Sequence, residues 1–225
     1  MISPLSVLYE DNHLLVINKP AGVLVQGDIT GDKPLVEMAK DYIGKKYNKP
    51  GDVFLGVVHR LDRPVSGVTV FARTSKALER MNALFRDRET KKIYWAIVTS
   101  KPSRQEGTLV HWLVKDEKKN KTTAYIRENA NGLRSELNFT VIESKRGYYL
   151  IEVNPITGRP HQIRVQLASM GCPIAGDVKY GSEMNSPDGS IGLHARRLSF
   201  IHPVKKEPLV ISAELPQNDW WKPFG

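Results

Sequence analysis

The chain has 225 residues, 40% hydrophobic and 25% charged, enough to bury a core without disulfide or metal staples. Its one cysteine, Cys172, excludes an internal disulfide and a cysteine-based metal cluster, and no apolar run approaches the ~18 residues of a membrane span. The 33 Lys and Arg against 24 Asp and Glu leave a net charge of +9, which favours a polyanionic partner, nucleic acid above all.

Met1-Ile2-Ser3-Pro4 has neither the basic nor the apolar region of a signal peptide, so a cytoplasmic protein is expected. Val7-Leu8-Tyr9, a turn at Glu10-Asp11-Asn12, and Leu14 to Ile17 read as strand, turn and strand. Lys19-Pro20-Ala21-Gly22 ends that strand. Pro34 opens a helix whose apolar positions are Leu35, Met38, Ala39, Tyr42 and Ile43. Strands are predicted at Val53 to His59 and Val68 to Ala72. Ser75 is the predicted N-cap of a second helix with Leu78, Met81, Leu84 and Phe85 on one face. Strands follow at Ile93–Val98, Thr108–Leu113, Thr122–Ile126, Leu137–Ser144 and Tyr148–Val153, with Lys115 to Lys121 as a hairpin tip. A helix is predicted from Pro160 to Met170, ended by Gly171, and a last strand around Leu209 to Ala213. The pattern predicts one α+β domain over residues 1–225, a mostly antiparallel mixed sheet with flanking helices.

The stretch VVHRLDRPVSGVTVFART, Val57 to Thr74, is apolar and β-branched at its flanks but carries Asp62 between two arginines. Asp62 falls where a strand gives way to a turn, a usual place for a functional side chain on a rigid support. Arg60 shares its strand face if the strand continues. His59 is expected to pack or hydrogen-bond structurally. In TGRPHQIRVQL, Thr157 to Leu167, His161 and Arg164 are three apart and share a helical face, while Ile163 and Leu167 pack on another. A buried aspartate needs a cationic partner to stay ionised, and Arg164 is the candidate.

His59 to Gly67, HRLDRPVSG, resembles the catalytic motif HRLDxxTSG of RluA-type pseudouridine synthases. Lys92-Ile93-Tyr94-Trp95-Ala96 is similar to the KxYxA segment that carries the family's active-site tyrosine. TGRPHQIRVQL with GCPIAGDVKYG, LHARRLSFIHP at Leu193 to Pro203, and INKPAGV near the start agree with further family motifs in order. The resemblance covers about Val7 to Ile211. Val65 stands where Thr is usual, and Gln166 where His is usual.

The resemblance implies a pseudouridine-synthase-like catalytic domain of the short form, without the small N-terminal RNA-binding domain. It implies an isomerase, a cytoplasmic monomer acting on uridines in a tRNA or rRNA stem-loop, with no cofactor and no metal. The implied catalytic residues are Asp62, Tyr94 and Arg164. Asp62 would act as nucleophile, or as base at the sugar, and Tyr94 would stack on the base. Arg60 would enter the RNA and hold the flipped base out, and Arg159, His161 and Gln162 are the further substrate-binding candidates. Two other readings are a catalytically inactive RNA-binding protein on the same fold and a metal-dependent nuclease. The second would want converging carboxylates, which the sequence does not place beside Asp62.

Overall fold

The computed structural model describes residues 5–224; the N-terminal tetrapeptide inspected for a signal peptide lies outside them. In chain order the elements are β1 (Val7–Glu10), β2 (Leu14–Lys19), α1 (Leu35–Lys46), β3 (Gly56–Val57), β4 (Ser66–Ala72), α2 (Ser75–Arg86) and β5 (Lys91–Val98). There follow β6 (Glu106–Asp116), β7 (Lys121–Tyr125), β8 (Leu133–Lys145), β9 (Tyr148–Pro155), α3 (Gln162–Ser169), a 3₁₀ turn at Val178–Tyr180, β10 (Leu193–Ile201) and β11 (Pro208–Ser212). The α+β class expected from the sequence is the class observed. The chain divides into two compact units, Met1–Lys91 with Ala195–Glu214, and Lys92–His194 with Leu215–Gly225. Among the described residues, no helix is long and apolar enough to cross a membrane.

In the first unit the sheet order is β1-β2-β4-β10, with β3 paired to β4 and β11 to β10. The β1–β2 turn is set by Asp11, whose Oδ1 accepts the backbone N–H groups of His13 and Leu14, each at 2.8 Å. Leu14 to Ile17 are all fully buried, which is why this strand reads as a continuous apolar run and not as an alternation. One core cluster joins Leu14, Val16, Val68, Val70, Met81 of α2, Leu198, Phe200 and Ile211. Gly67 is obligatory on two counts. Its φ is +115°, and a Cβ there would lie 2.6 Å from the Ala195 nitrogen.

Three expectations for this unit change. The predicted strand from Val53 to His59 pairs only at Gly56 and Val57. Beyond them the His59 imidazole Nε2 accepts the Val70 N–H at 3.1 Å, so a side chain takes the place of the next strand partner. The strand therefore does not continue to Asp62, and the shared strand face of Arg60 and Asp62 does not exist. The cap of α2 is Thr74, not Ser75: its hydroxyl accepts from the Ala77 N–H at 3.2 Å. α1 buries Leu35, Val36, Ala39 and Ile43, while Tyr42 donates its hydroxyl to Glu10 at 2.9 Å.

In the second unit the strands run in the order β5-β9-β8-β6-β7, with antiparallel neighbours throughout. Alternation is clear in β6, where Leu109, His111 and Leu113 point inward. Leu113, Val165 of α3 and Tyr180 form one cluster. The helix expected from Pro160 begins two residues later, because His161 has φ +54°, a left-handed conformation that precedes the helix. His161 and Arg164 thus do not share a helical face.

Candidate active site

In the first unit, Asp62 sits beyond the end of β3 and before β4, half-buried, with Leu61 buried beside it and Arg60 exposed. Its carbonyl accepts the Val65 N–H at 3.1 Å, closing a turn over Arg63 and Pro64. Arg63 ties this turn down. Its Nε donates to the Gly22 carbonyl at 3.0 Å, its Nη2 to Asp32 at 2.6 Å, and its own carbonyl accepts the Gly22 N–H at 2.8 Å. Val65, at 2% exposure, and Ser66 fix the C-terminal side in the core. The His59 ring stacks on Phe85 with centroids 4.9 Å apart, which anchors the N-terminal side. The opposing aliphatic and polar anchors hold a half-buried carboxylate at a fixed place, which answers why an aspartate interrupts an apolar stretch.

Lys19 was not singled out by the sequence reading. It is fully buried, and its Nζ donates to the carbonyls of Pro20 at 3.0 Å, Val23 at 2.6 Å and Arg63 at 3.2 Å. Three carbonyls match the three donors of an ammonium. Burial pushes its pKa down to about 7, the nearby charge of Asp62 pulls it up, and that of Arg63 pushes it further down. The sign follows from proton binding. Between about 7 and the unfolded value of about 10.4 the unfolded chain holds more protons at this residue, so folding gains stability as pH rises across that window. Lys19→Met should remove that gain. The check is urea unfolding at pH 7 and pH 9.5, where wild type should gain more than the variant; equal gains would contradict the assignment.

In the second unit, Tyr94 lies half-buried on β5, opposite Val153 of β9. Arg164 is 5% exposed on α3. Its Nε and Nη2 donate in a fork to Asp177, at 2.7 and 2.8 Å, and the Tyr180 ring lies 5.1 Å from the guanidinium carbon. Asp177 is a partner of Arg164 that the sequence pattern did not name. Tyr180 accepts the Thr122 N–H at 2.8 Å and its hydroxyl meets His161 Nδ1 at 2.7 Å. Burial pushes the Tyr180 hydroxyl up, so it keeps its proton. Gln162 is buried with both ends of its amide engaged: Oε1 accepts from Thr157 and the Arg159 N–H, and Nε2 donates to the Glu136 carbonyl. It positions the 157–162 turn. Arg159 is half-buried, with an Nε that has no hydrogen-bond partner.

Asp62 and Arg60 thus belong to the first unit, and Tyr94, Arg159, His161, Gln162 and Arg164 to the second. Sequence reasoning missed Lys19, Asp177 and Tyr180. The last two stand in GDVKYG, whose acidic residue bounded by a glycine was the available signal. Gln166, in place of a usual His, is fully buried and donates to the carbonyls of Leu109 at 3.0 Å and Ser135 at 3.4 Å. That departure ties α3 to the sheet. Among the described residues, no group of three or more His, Cys, Asp or Glu is placed to hold a metal ion.

The sequence pattern of RNA pseudouridylate synthases matches residues 13–169. Ribosomal large subunit pseudouridine synthase C of Vibrio cholerae is 34% identical over 215 residues, 93% of this chain and 65% of the relative. Ribosomal large subunit pseudouridine synthase D of Zymomonas mobilis is 33% identical over 225 residues, 96% of this chain and 70% of the relative. The chain thus spans about two thirds of the length of these relatives. Human RNA Pseudouridylate Synthase Domain Containing 4 superposes with a TM-score of 0.78 at 27% identity, over 94% of this chain and 89% of the human one.

Proposed function

The chain belongs to the RNA pseudouridylate synthase family, and from that premise we propose that it converts uridine to pseudouridine in structured RNA, with Asp62 as the reacting carboxylate. Both rRNA and tRNA are candidate substrates, and the names of the relatives favour large-subunit ribosomal RNA. The reaction is an isomerisation. The bond from C1′ to N1 breaks, a bond from C1′ to C5 forms, C5 loses a proton and N1 gains one. No electrons are exchanged. An ionised carboxylate suits the step as nucleophile at C1′ or as base at the sugar. Tyr94 stacks on the uracil and takes the C5 proton. Arg164, held by its fork on Asp177, is the third catalytic residue of the proposal. Arg60, exposed two residues before Asp62, enters the RNA and holds the flipped nucleotide out.

The observation that carries this reading is the anchoring of the Asp62 turn by Arg63, Lys19 and His59, which fixes a carboxylate without burying it. Mapping pseudouridines in total RNA from a deletion strain against wild type tests it. One or a few uridines should lose the modification and regain it when the gene is restored; identical maps would contradict the proposal.

The net charge of +9 sets a second expectation. If about five phosphates are neutralised, the log–log slope of affinity against salt should lie near −3.5 to −4.5. A filter-binding series at several salt concentrations gives the slope, and a flat response would show that the basic surface is not the binding surface.

A further inference from the structure

Within the first unit, next to the Asp62 turn, lies an open groove of about 620 Å³, of whose lining only Arg60 enters the reaction as described. Its floor is aliphatic, made by Pro34 and Val36 at the start of α1 and by Leu55 and Val57 around β3. The lining also carries two cations, Lys40 and Arg60, one carboxylate, Glu37, and the polar Gln26 and His59. The groove is preformed. The loop over residues 26–34 is pinned at both ends, by the Leu35 N–H on the Leu24 carbonyl at 2.7 Å and the Val36 N–H on the Val25 carbonyl at 3.2 Å. Arg63, the residue after Asp62, holds the same loop through Asp32 at 2.6 Å.

We propose that this groove takes one unstacked nucleobase beside the target uridine, with its phosphate between Lys40 and Arg60. The inference rests on the RNA-modifying reading above. Pulling a uridine out of its stack leaves its neighbour with an exposed face, and an aliphatic floor covers such a face without demanding a sequence. The two cations suit the phosphate. Arg60 is shared by the groove and the Asp62 turn, and two residues of chain span at most about 7 Å, so the occupant is continuous with the strand that carries the target. Lys40 pairs with Glu37 at 2.8 Å, a half-exposed contact that a phosphate can displace at little cost.

The test uses total RNA from a deletion strain, labelled with tritium at uridine C5. It has two readouts: ultraviolet cross-linking with mass spectrometry of the adducts, and tritium release. Gly27 lines the groove, has no positive φ, and a Cβ there would stand 3.8 Å from Pro34, so Gly27→Leu narrows the groove without strain. Lys40→Glu reverses a rim charge, and Gly27→Ala is the control. Wild type should carry nucleotide adducts on groove peptides. Gly27→Leu and Lys40→Glu should lose them and lower kcat/KM about tenfold, the scale of one base stack, chiefly through KM, with unchanged melting temperature. Gly27→Ala should stay near wild type. Adducts only on other peptides, or wild-type rates in both variants, would overturn the groove assignment and leave the enzymatic reading intact. Groove adducts without tritium release by wild type would support the groove as an RNA site and strike the enzymatic reading.

Discussion

Asp62→Asn should lower pseudouridine formation by about a thousandfold or more, some 4 kcal/mol of barrier, with RNA affinity and melting temperature near wild type. Asparagine matches aspartate in size and is equally at home in a turn. The anchors of the segment run through its neighbours and its backbone. They are the Arg63 side chain on Gly22 and Asp32, the Lys19 ammonium on the Arg63 carbonyl, and the Val65 N–H on the Asp62 carbonyl. All survive the substitution. What is lost is a negative charge and a nucleophilic oxygen. One side effect is predictable: Asp62 pulls the Lys19 pKa upward, so the variant should move Lys19 further below its ordinary value. Single-turnover rates with binding measured in parallel decide the matter, and turnover above a few per cent of wild type would remove Asp62 from the reaction.

Breaking the Arg164–Asp177 pair should produce the largest loss of stability. Both side chains are nearly inaccessible, at 6% and 1% exposure. Removing one partner of such a pair strands the other charge in the interior and costs about 3–5 kcal/mol, whereas replacing both with apolar groups is often neutral. Asp177→Leu and Arg164→Met should each be strongly destabilised, and the double variant should cost much less than their sum. Arg164→Lys keeps the charge but cannot reproduce the fork on the two oxygens of Asp177. It should retain most RNA affinity and lose much of the rate. Urea unfolding of the four variants gives the coupling energy. Single variants that cost under about 1 kcal/mol would show that the pair does not hold α3 to the turn at Val178–Tyr180.

The strands of the second unit were legible because alternation is a local signal, and β6 and β9 fall within a few residues of their predicted places. The Asp62 segment was legible because a charged quartet between β-branched flanks has few structural explanations. The errors lie where a partner is distant in sequence. His59 ends β3 early by accepting from Val70, eleven residues on, and nothing in the local pattern announces that bond. His161 was placed on a helix because proline often opens one, but its left-handed backbone moves the helix start to Gln162. The Asp177 partner of Arg164 was likewise illegible, because it lies thirteen residues later in the chain. Lys19 was read as part of a strand ending, since only the fold brings three carbonyls around its ammonium. β10 was not predicted as a strand because Arg196 and Arg197 interrupt its apolar pattern.

The proton at C5 has no place to remain once C5 joins the sugar, so its release reports the proposed reaction directly. The measurement is tritium appearing in water from RNA labelled at uridine C5, taken from a deletion strain and incubated with purified protein, with and without excess chelator. The account predicts release by wild type at the same rate in chelator, and none by Asp62→Asn. No release by wild type, or equal release by Asp62→Asn, would contradict it.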